Sequence, residues 1–136
     1  MTSSPPDVPP LTTGIGALAA AFLTSGVVHL VRPQVFEATI PPQLPRPRQL
    51  VVWSGVVELR CGVGMLAPRT RRLAGLMSAA LLVGVWPANA QMLVSAHRRA
   101  TRHPRSWGAQ VERLVTAVRL PLQVPLIRVA LRAAGR

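Results

Sequence analysis

Apolar residues fall in four long blocks along the chain, separated by segments rich in proline and arginine. The blocks cover residues 11–31, 50–66, 73–94 and 114–131. A helix of about 20 residues spans the ~30 Å hydrocarbon core of a bilayer at about 1.5 Å of rise per residue. We therefore predict an all-α integral membrane four-helix bundle over residues 11–134. Residues 1–10 are rich in Ser and Pro, so we predict a disordered tail there. They lack the basic start of a signal peptide, so we expect the apolar block that follows to be retained.

The second block carries a carboxylate near its middle. Gly55, Glu58 and Gly62 are three and four residues apart and share one helical face. Small residues let helices approach closely, and a charge is costly when it faces lipid. We therefore expect Glu58 to point into the bundle from its most closely packed face.

Polar residues in the other three blocks fall at similar depths. We predict a surface segment at residues 32–49 and a polar basic loop at residues 95–110, both on one face of the bundle. Counted from that face, His29 lies roughly 3 Å deep, Asn89 and Arg119 roughly 8 Å, Glu58 about 12 Å and Gln123 about 14 Å. These five residues are the candidate ligand-binding site or polar network, and Arg119 is the expected counter-ion of Glu58, directly or through one water. Pro87 lies inside the third span and should kink it, which would free backbone carbonyls near Val83.

Charge and cysteine content narrow the function classes. The net charge is +12, and all sixteen basic residues are arginines clustered at the ends of the apolar blocks. That placement suits anionic lipid headgroups better than nucleic acid, so we expect a lipid bilayer and no nucleic acid as partner. Cys61 is the only cysteine, which excludes an intramolecular disulfide and a thiolate cluster, and no metal site is predicted.

Several stretches resemble one family. They are GVVHLVRPQVFEATIPPQLP from Gly26, LVVWSGVVEL from Leu50, VWPANAQM from Val85 and RLPLQVPLI from Arg119. In order and spacing they resemble the DoxX-like family of small four-helix bacterial membrane proteins. The resemblance implies a multi-pass protein of the inner (plasma) membrane. Some relatives are linked to thiosulfate:quinone oxidoreduction, and others to oxidative-stress complexes with soluble redox partners. Arg60-Cys61 departs from the apolar or small residues expected after the glutamate.

Three functions remain open from the sequence. The first is a membrane subunit or anchor of a redox system, with a quinone as ligand beside Glu58 and a redox protein as partner. The second is a small-solute or proton-coupled carrier, which with four spans would have to form a homo-oligomer. The third is a structural or assembly protein whose polar network only holds the helices together. Neither a substrate nor an enzymatic reaction follows from the residues.

Overall fold

The computed structural model describes residues 8–136 and contains no strand in that range. Its helices are α1 (Thr13–Val31), α2 (Gln34–Glu37), α3 (Pro47–Leu66), α4 (Arg71–Gly84), α5 (Trp86–Arg102) and α6 (Trp107–Ala133). Four helical segments are long and apolar enough to cross a membrane: α1, α3, α4 and α5 together, and α6. The predicted all-α four-helix bundle is confirmed, and the four segments indicate a multi-pass membrane protein.

The helix ends follow local chemistry. The hydroxyl of Thr12 accepts a hydrogen bond from the backbone N–H of Ile15 and caps α1. α1 ends at Val31 because Arg32 precedes a proline, which disfavours the α region. α3 begins at Pro47, where a proline's missing N–H costs nothing in the first helical turn. The predicted start at residue 50 is therefore three residues late.

The predicted polar loop over residues 95–110 is wrong over most of its length. α5 continues to Arg102, α6 begins at Trp107, and only residues 103–106 connect them. Alanine and arginine are good helix formers, and arginines in the last turn favour the helix dipole. The helix ends only at His103, the residue before Pro104. An exposed ion pair between Arg99 and Glu112, 2.9 Å apart, links the two helices beyond the predicted spans.

Small residues set how closely the helices pack. A Cβ added at Gly26 would lie 2.8 Å from the carbonyl oxygen of Gly55, so α1 and α3 nearly touch backbone to backbone. A Cβ added at Gly75 would lie 2.6 Å from the carbonyl oxygen of Ala130, so α4 approaches α6 in the same way. By comparison α1 and α6 make few contacts. The bundle is therefore tight along two seams and open along a third.

The apolar core and the segment just before α1 are held in place at the other face of the bundle. Ile15, Leu18 and Met65 are almost fully buried there. Arg71 is also buried, and its guanidinium donates hydrogen bonds to the carbonyl oxygens of Met65 (2.7 Å), Leu66 (3.0 Å) and Pro9 (2.6 Å). It thus satisfies the last carbonyls of α3 and holds the segment before α1. Most of the predicted disordered tail lies outside the described residues; at Pro9 the chain is packed.

Candidate functional site

The close α1–α3 seam brings His29 to Glu58. A Cβ added at Gly55 would lie 2.6 Å from the Cβ of His29, so the histidine stands directly over that glycine. Glu58 follows Gly55 by one helical turn, and its Oε2 lies 3.1 Å from Nδ1 of His29. Both side chains are nearly enclosed, at 11% and 13% exposed. The prediction that Gly55, Glu58 and Gly62 share the most closely packed face of α3 is confirmed on the α1 side.

Nδ1 of His29 is surrounded by three oxygens. The Ser25 carbonyl lies at 2.8 Å, Glu58 Oε2 at 3.1 Å and the Ser25 hydroxyl at 3.2 Å. A carbonyl and a carboxylate only accept hydrogen bonds, so this arrangement requires a proton between Nδ1 and its neighbours. The shorter contact directs the N–H to the Ser25 carbonyl. Glu58 Oε2 is then left with an electrostatic neighbour and no hydrogen bond, consistent with its being a buried oxygen without a hydrogen-bond partner in the described chain.

Phe36 of α2 covers the His29–Glu58 pair on the side where residues 32–46 lie. Its ring stacks on the imidazole of His29, with centroids 4.0 Å apart and planes inclined by 20°. The short α2 therefore covers the histidine.

The third span breaks where proline predicts. α4 ends at Gly84 and α5 begins at Trp86, with Pro87 in its first turn. The Leu82 carbonyl near this break accepts a hydrogen bond of 2.9 Å from Nε2 of Gln123. Gln123 is buried, and its Oε1 has no hydrogen-bond partner in residues 8–136. The predicted freed carbonyl is therefore used to hold Gln123 across the bundle.

An apolar cleft of about 590 Å³ opens along the loose α1–α6 seam. Its walls come mainly from aliphatic and aromatic side chains, among them Leu18, Phe22, Leu82, Val118, Leu122 and Leu126. Its polar lining consists of Ser25, Glu58, Asn89, Arg119 and Gln123. An adjoining hollow of about 500 Å³ shares Ser25 and Arg119 with the cleft and is bounded by Phe36. A continuous concave path therefore runs from α2 down to Gln123.

All five predicted polar residues meet here, but not in the predicted pairs. Glu58, Asn89, Arg119 and Gln123 line the cleft, and His29 lies behind Glu58. No ion pair joins Glu58 to Arg119 in the described part of the chain, so the predicted direct pair is absent. The glycine contact draws α1 closer to α3 than α6 comes, so His29 reaches the carboxylate instead. Arg119 lies exposed at the mouth of the cleft.

The sequence did not reveal the structural roles of two residues. Phe36 lies in a proline-rich segment without a regular hydrophobic pattern. The sequence therefore gave no indication that its ring stacks on His29. Arg71 reads as one of a run of turn arginines, and its position just after a helix end was the only hint of a capping role. Within residues 8–136, no group of three or more His, Cys, Asp or Glu side chains could hold a metal ion.

Comparison with known proteins gives a family without an assigned role. No curated protein and no solved structure matches the chain. Residues 18–134, which include every residue of the cleft and all four spans except the first turn of α1, match a family described as "Domain of unknown function (DUF8561)". Because the match covers most of the chain, the protein belongs to this family.

Proposed function

We propose that this protein binds a quinone-like amphipathic molecule in the α1–α6 cleft, as the membrane subunit of a redox system. The observation that carries the proposal is an apolar cleft at membrane depth with a few convergent polar groups. Ligand sites typically have this composition, with apolar walls for contact and a few polar groups for orientation. The loose α1–α6 seam gives a lipid-dissolved molecule lateral access to the cleft.

The polar atoms of the cleft match both redox forms of such a ligand. Glu58 and Gln123 line the cleft, and Glu58 Oε2 and Gln123 Oε1 are buried acceptors without hydrogen-bond partners in residues 8–136. In the proposal each side chain turns its free oxygen into the cleft, where the two hydroxyls of a quinol donate to them. The Arg119 guanidinium and the Asn89 amide are donors suited to the carbonyls of a quinone. An unsatisfied buried acceptor costs about 1–3 kcal/mol, so a donor that fits is favoured over plain lipid.

The Glu58–His29 pair can handle the proton of this chemistry. Oxidation of one quinol releases two electrons and two protons. In the proposal the Glu58 carboxylate accepts the two hydroxyl protons one after the other and releases each to water on the side of α2. His29, whose Nδ1 already carries a proton, stays beside the carboxylate as its polar neighbour. The two electrons pass to a soluble or membrane redox partner. The similarity to DoxX-like proteins supports this assignment, and with it a place in the bacterial inner (plasma) membrane.

A binding measurement tests the proposal. The protein in nanodiscs is titrated with a short-chain benzoquinone, with its quinol and with the quinol dimethyl ether, which keeps the shape but lacks donors. We expect the quinol to bind at least about tenfold more tightly than its ether, as one good hydrogen bond provides. Gln123→Leu and Glu58→Gln should each weaken quinol binding, whereas Glu112→Gln, an exposed carboxylate on α6, should leave it unchanged.

Two results would contradict the proposal. One is equal affinity for quinol and ether, because the polar atoms would then play no part in recognition. The other is a loss of thermal stability in Glu58→Gln with unchanged ligand binding. That outcome would mean that the polar network only holds the helices together.

The broken third span favours a carrier as the second candidate function. Discontinuous helices surround the sites of many transporters, and here the break at Val85 adjoins the same cleft. Four spans would require a homo-oligomer to enclose a pathway. Proteoliposomes under a proton gradient distinguish the two functions, because a carrier moves protons or solute at a rate that depends on Glu58, whereas a quinone-binding subunit does not.

A further inference from the structure

A separate groove of about 640 Å³ lies between α3 and α4, away from the cleft. Its walls are apolar and include Val63, Leu73 and Met77. Thr70, in the turn that joins the two helices, forms one end of it, and Arg60 contributes the only charged side chain among the lining residues. The groove therefore runs from the basic turn at residues 69–72 into the depth of the membrane.

Arg60 is an unusual residue for this position. It is exposed on the outer surface of α3, six residues before the helix ends at Leu66, which is about 9 Å of helix. A charge within the hydrocarbon region is unfavourable unless it reaches the interface or meets an opposite charge. The guanidinium can extend along the groove toward the turn, since Thr70 and Arg60 line the same space.

The described chain offers Arg60 no acidic partner. The protein has only four acidic residues. Glu58 faces His29, Glu112 pairs with Arg99 beyond the opposite end of the spans, and Glu37 lies in α2 at that same opposite face. Asp7 lies outside the described residues. No hydrogen bond or ion pair to Arg60 is present in residues 8–136.

We propose that this groove binds an anionic phospholipid, with the phosphate held by Arg60 near the α3–α4 turn and an acyl chain lying along Val63, Leu73 and Met77. Charge complementarity and the apolar lining point to this occupant, because a lipid supplies both an anion for Arg60 and an apolar chain for the walls. Arginine pairs well with phosphate through its planar set of donors. The basic turn beside the groove attracts anionic headgroups to this face.

A second copy of the chain fits the groove less well. It would bring no free carboxylate to the depth of Arg60, since Glu58 is enclosed against α1. It would also bring another chain of net charge +12. An anionic lipid neutralises the guanidinium, whereas a second copy adds to the repulsion.

Native mass spectrometry tests the proposal. The full-length protein is released from nanodiscs that contain equal amounts of phosphatidylglycerol and phosphatidylcholine with the same acyl chains. Both lipids present a phosphate to Arg60, but the choline of phosphatidylcholine cancels its charge, so we expect phosphatidylglycerol to be retained at least about tenfold over phosphatidylcholine. Arg60→Gln should abolish this preference. Arg69→Gln removes the same charge from the exposed turn outside the groove and should retain most of it.

A filling variant keeps the test decisive if Arg60→Gln folds poorly. Val63→Trp leaves every charge in place but occupies the groove, and it should lower phosphatidylglycerol retention as Arg60→Gln does. Equal retention of the two lipids by the wild type, or equal losses in Arg60→Gln and Arg69→Gln, would overturn the proposal. So would a lipid-free dimer that Arg60→Gln dissociates, or a lipid preference that depends on Asp7→Asn rather than on Arg60.

Discussion

Gly55→Ala is expected to destabilise the bundle and to disturb the Glu58–His29 pair together. The new methyl group would lie 2.6 Å from the Cβ of His29 and 3.1 Å from the carbonyl oxygen of Gly26. Both atoms belong to or adjoin the backbone of α1, so no flexible side chain can turn away. α1 must move outward by roughly 1 Å to restore a normal carbon–carbon contact of about 3.5–4 Å.

The expected cost follows from two opposing effects. Alanine favours a helix over glycine by about 0.8–1 kcal/mol. Overpacking a close contact costs about 1–3 kcal/mol, and the loss of contacts along the rest of the α1–α3 seam adds to it. We therefore expect a net destabilisation of about 1–2 kcal/mol, with weaker quinol binding because His29 moves away from Glu58.

Thermal unfolding in detergent measures this effect, with Gly16→Ala as the matched control. Gly16 is also inside a spanning helix, but a Cβ there meets nothing within 4 Å. Only helix propensity acts at that site, so Gly16→Ala should be neutral or stabilising. If Gly55→Ala and Gly16→Ala shift the melting temperature in the same direction, the helices α1 and α3 are farther apart at Gly55 than the structure shows. If Gly55→Ala destabilises but binds quinol normally, the position of His29 does not matter for binding.

Three further predictions concern charged residues. Arg71→Met should lower the unfolding free energy by about 2–4 kcal/mol, because three carbonyls lose a charged donor, and should expose the segment at Pro9 to proteolysis; an unchanged melting temperature would contradict this. His29→Gln and Glu58→Gln should each lower the melting temperature, and the double variant should lower it by less than the sum of the two single shifts. Simple additivity of the shifts would exclude direct coupling between the two side chains. Arg99→Ala should change stability by less than about 1 kcal/mol in chemical unfolding, because its ion pair is exposed; a larger loss would give the α5–α6 extension a structural role.

Hydropathy and helical geometry were sufficient for the number of spans and for the expectation that polar residues of different spans meet. The Glu58, Asn89 and Gln123 side chains meet because three spans of known direction place them at similar heights, and a polar group at that depth avoids lipid. The depth of two residues in the membrane, however, does not give the distance between their helices. The Gly26–Gly55 contact decides that distance and puts His29, rather than Arg119, against Glu58.

The helix ends were harder to predict for a different reason. Residues 95–102 are polar and lie beyond the apolar block, and polarity suggested a loop. Helix propensity and the last-turn arginines outweigh polarity there, because helices need not stop where the apolar block stops. Arg71 escaped prediction because its three acceptors come from α3 and from Pro9, more than sixty residues earlier in the chain. Local patterns do not record such a contact.

The identity of the partner of Glu58 changes what the site can do. An arginine keeps its proton at any accessible pH, so a glutamate–arginine pair would be a fixed pair of charges at membrane depth. A glutamate beside a neutral histidine can take up one proton, which leaves both groups uncharged and lowers the cost of burying them in an apolar bundle. Under the proposed function, Glu58 accepts a proton from the cleft and releases it toward α2, where Phe36 covers the imidazole. Arg119 forms no ion pair within residues 8–136, and in the proposal its guanidinium binds a ligand carbonyl at the cleft mouth. The observed pairing therefore suits the proposed proton transfer and ligand binding, whereas the pairing expected from depth alone would have used both charges to hold the helices together.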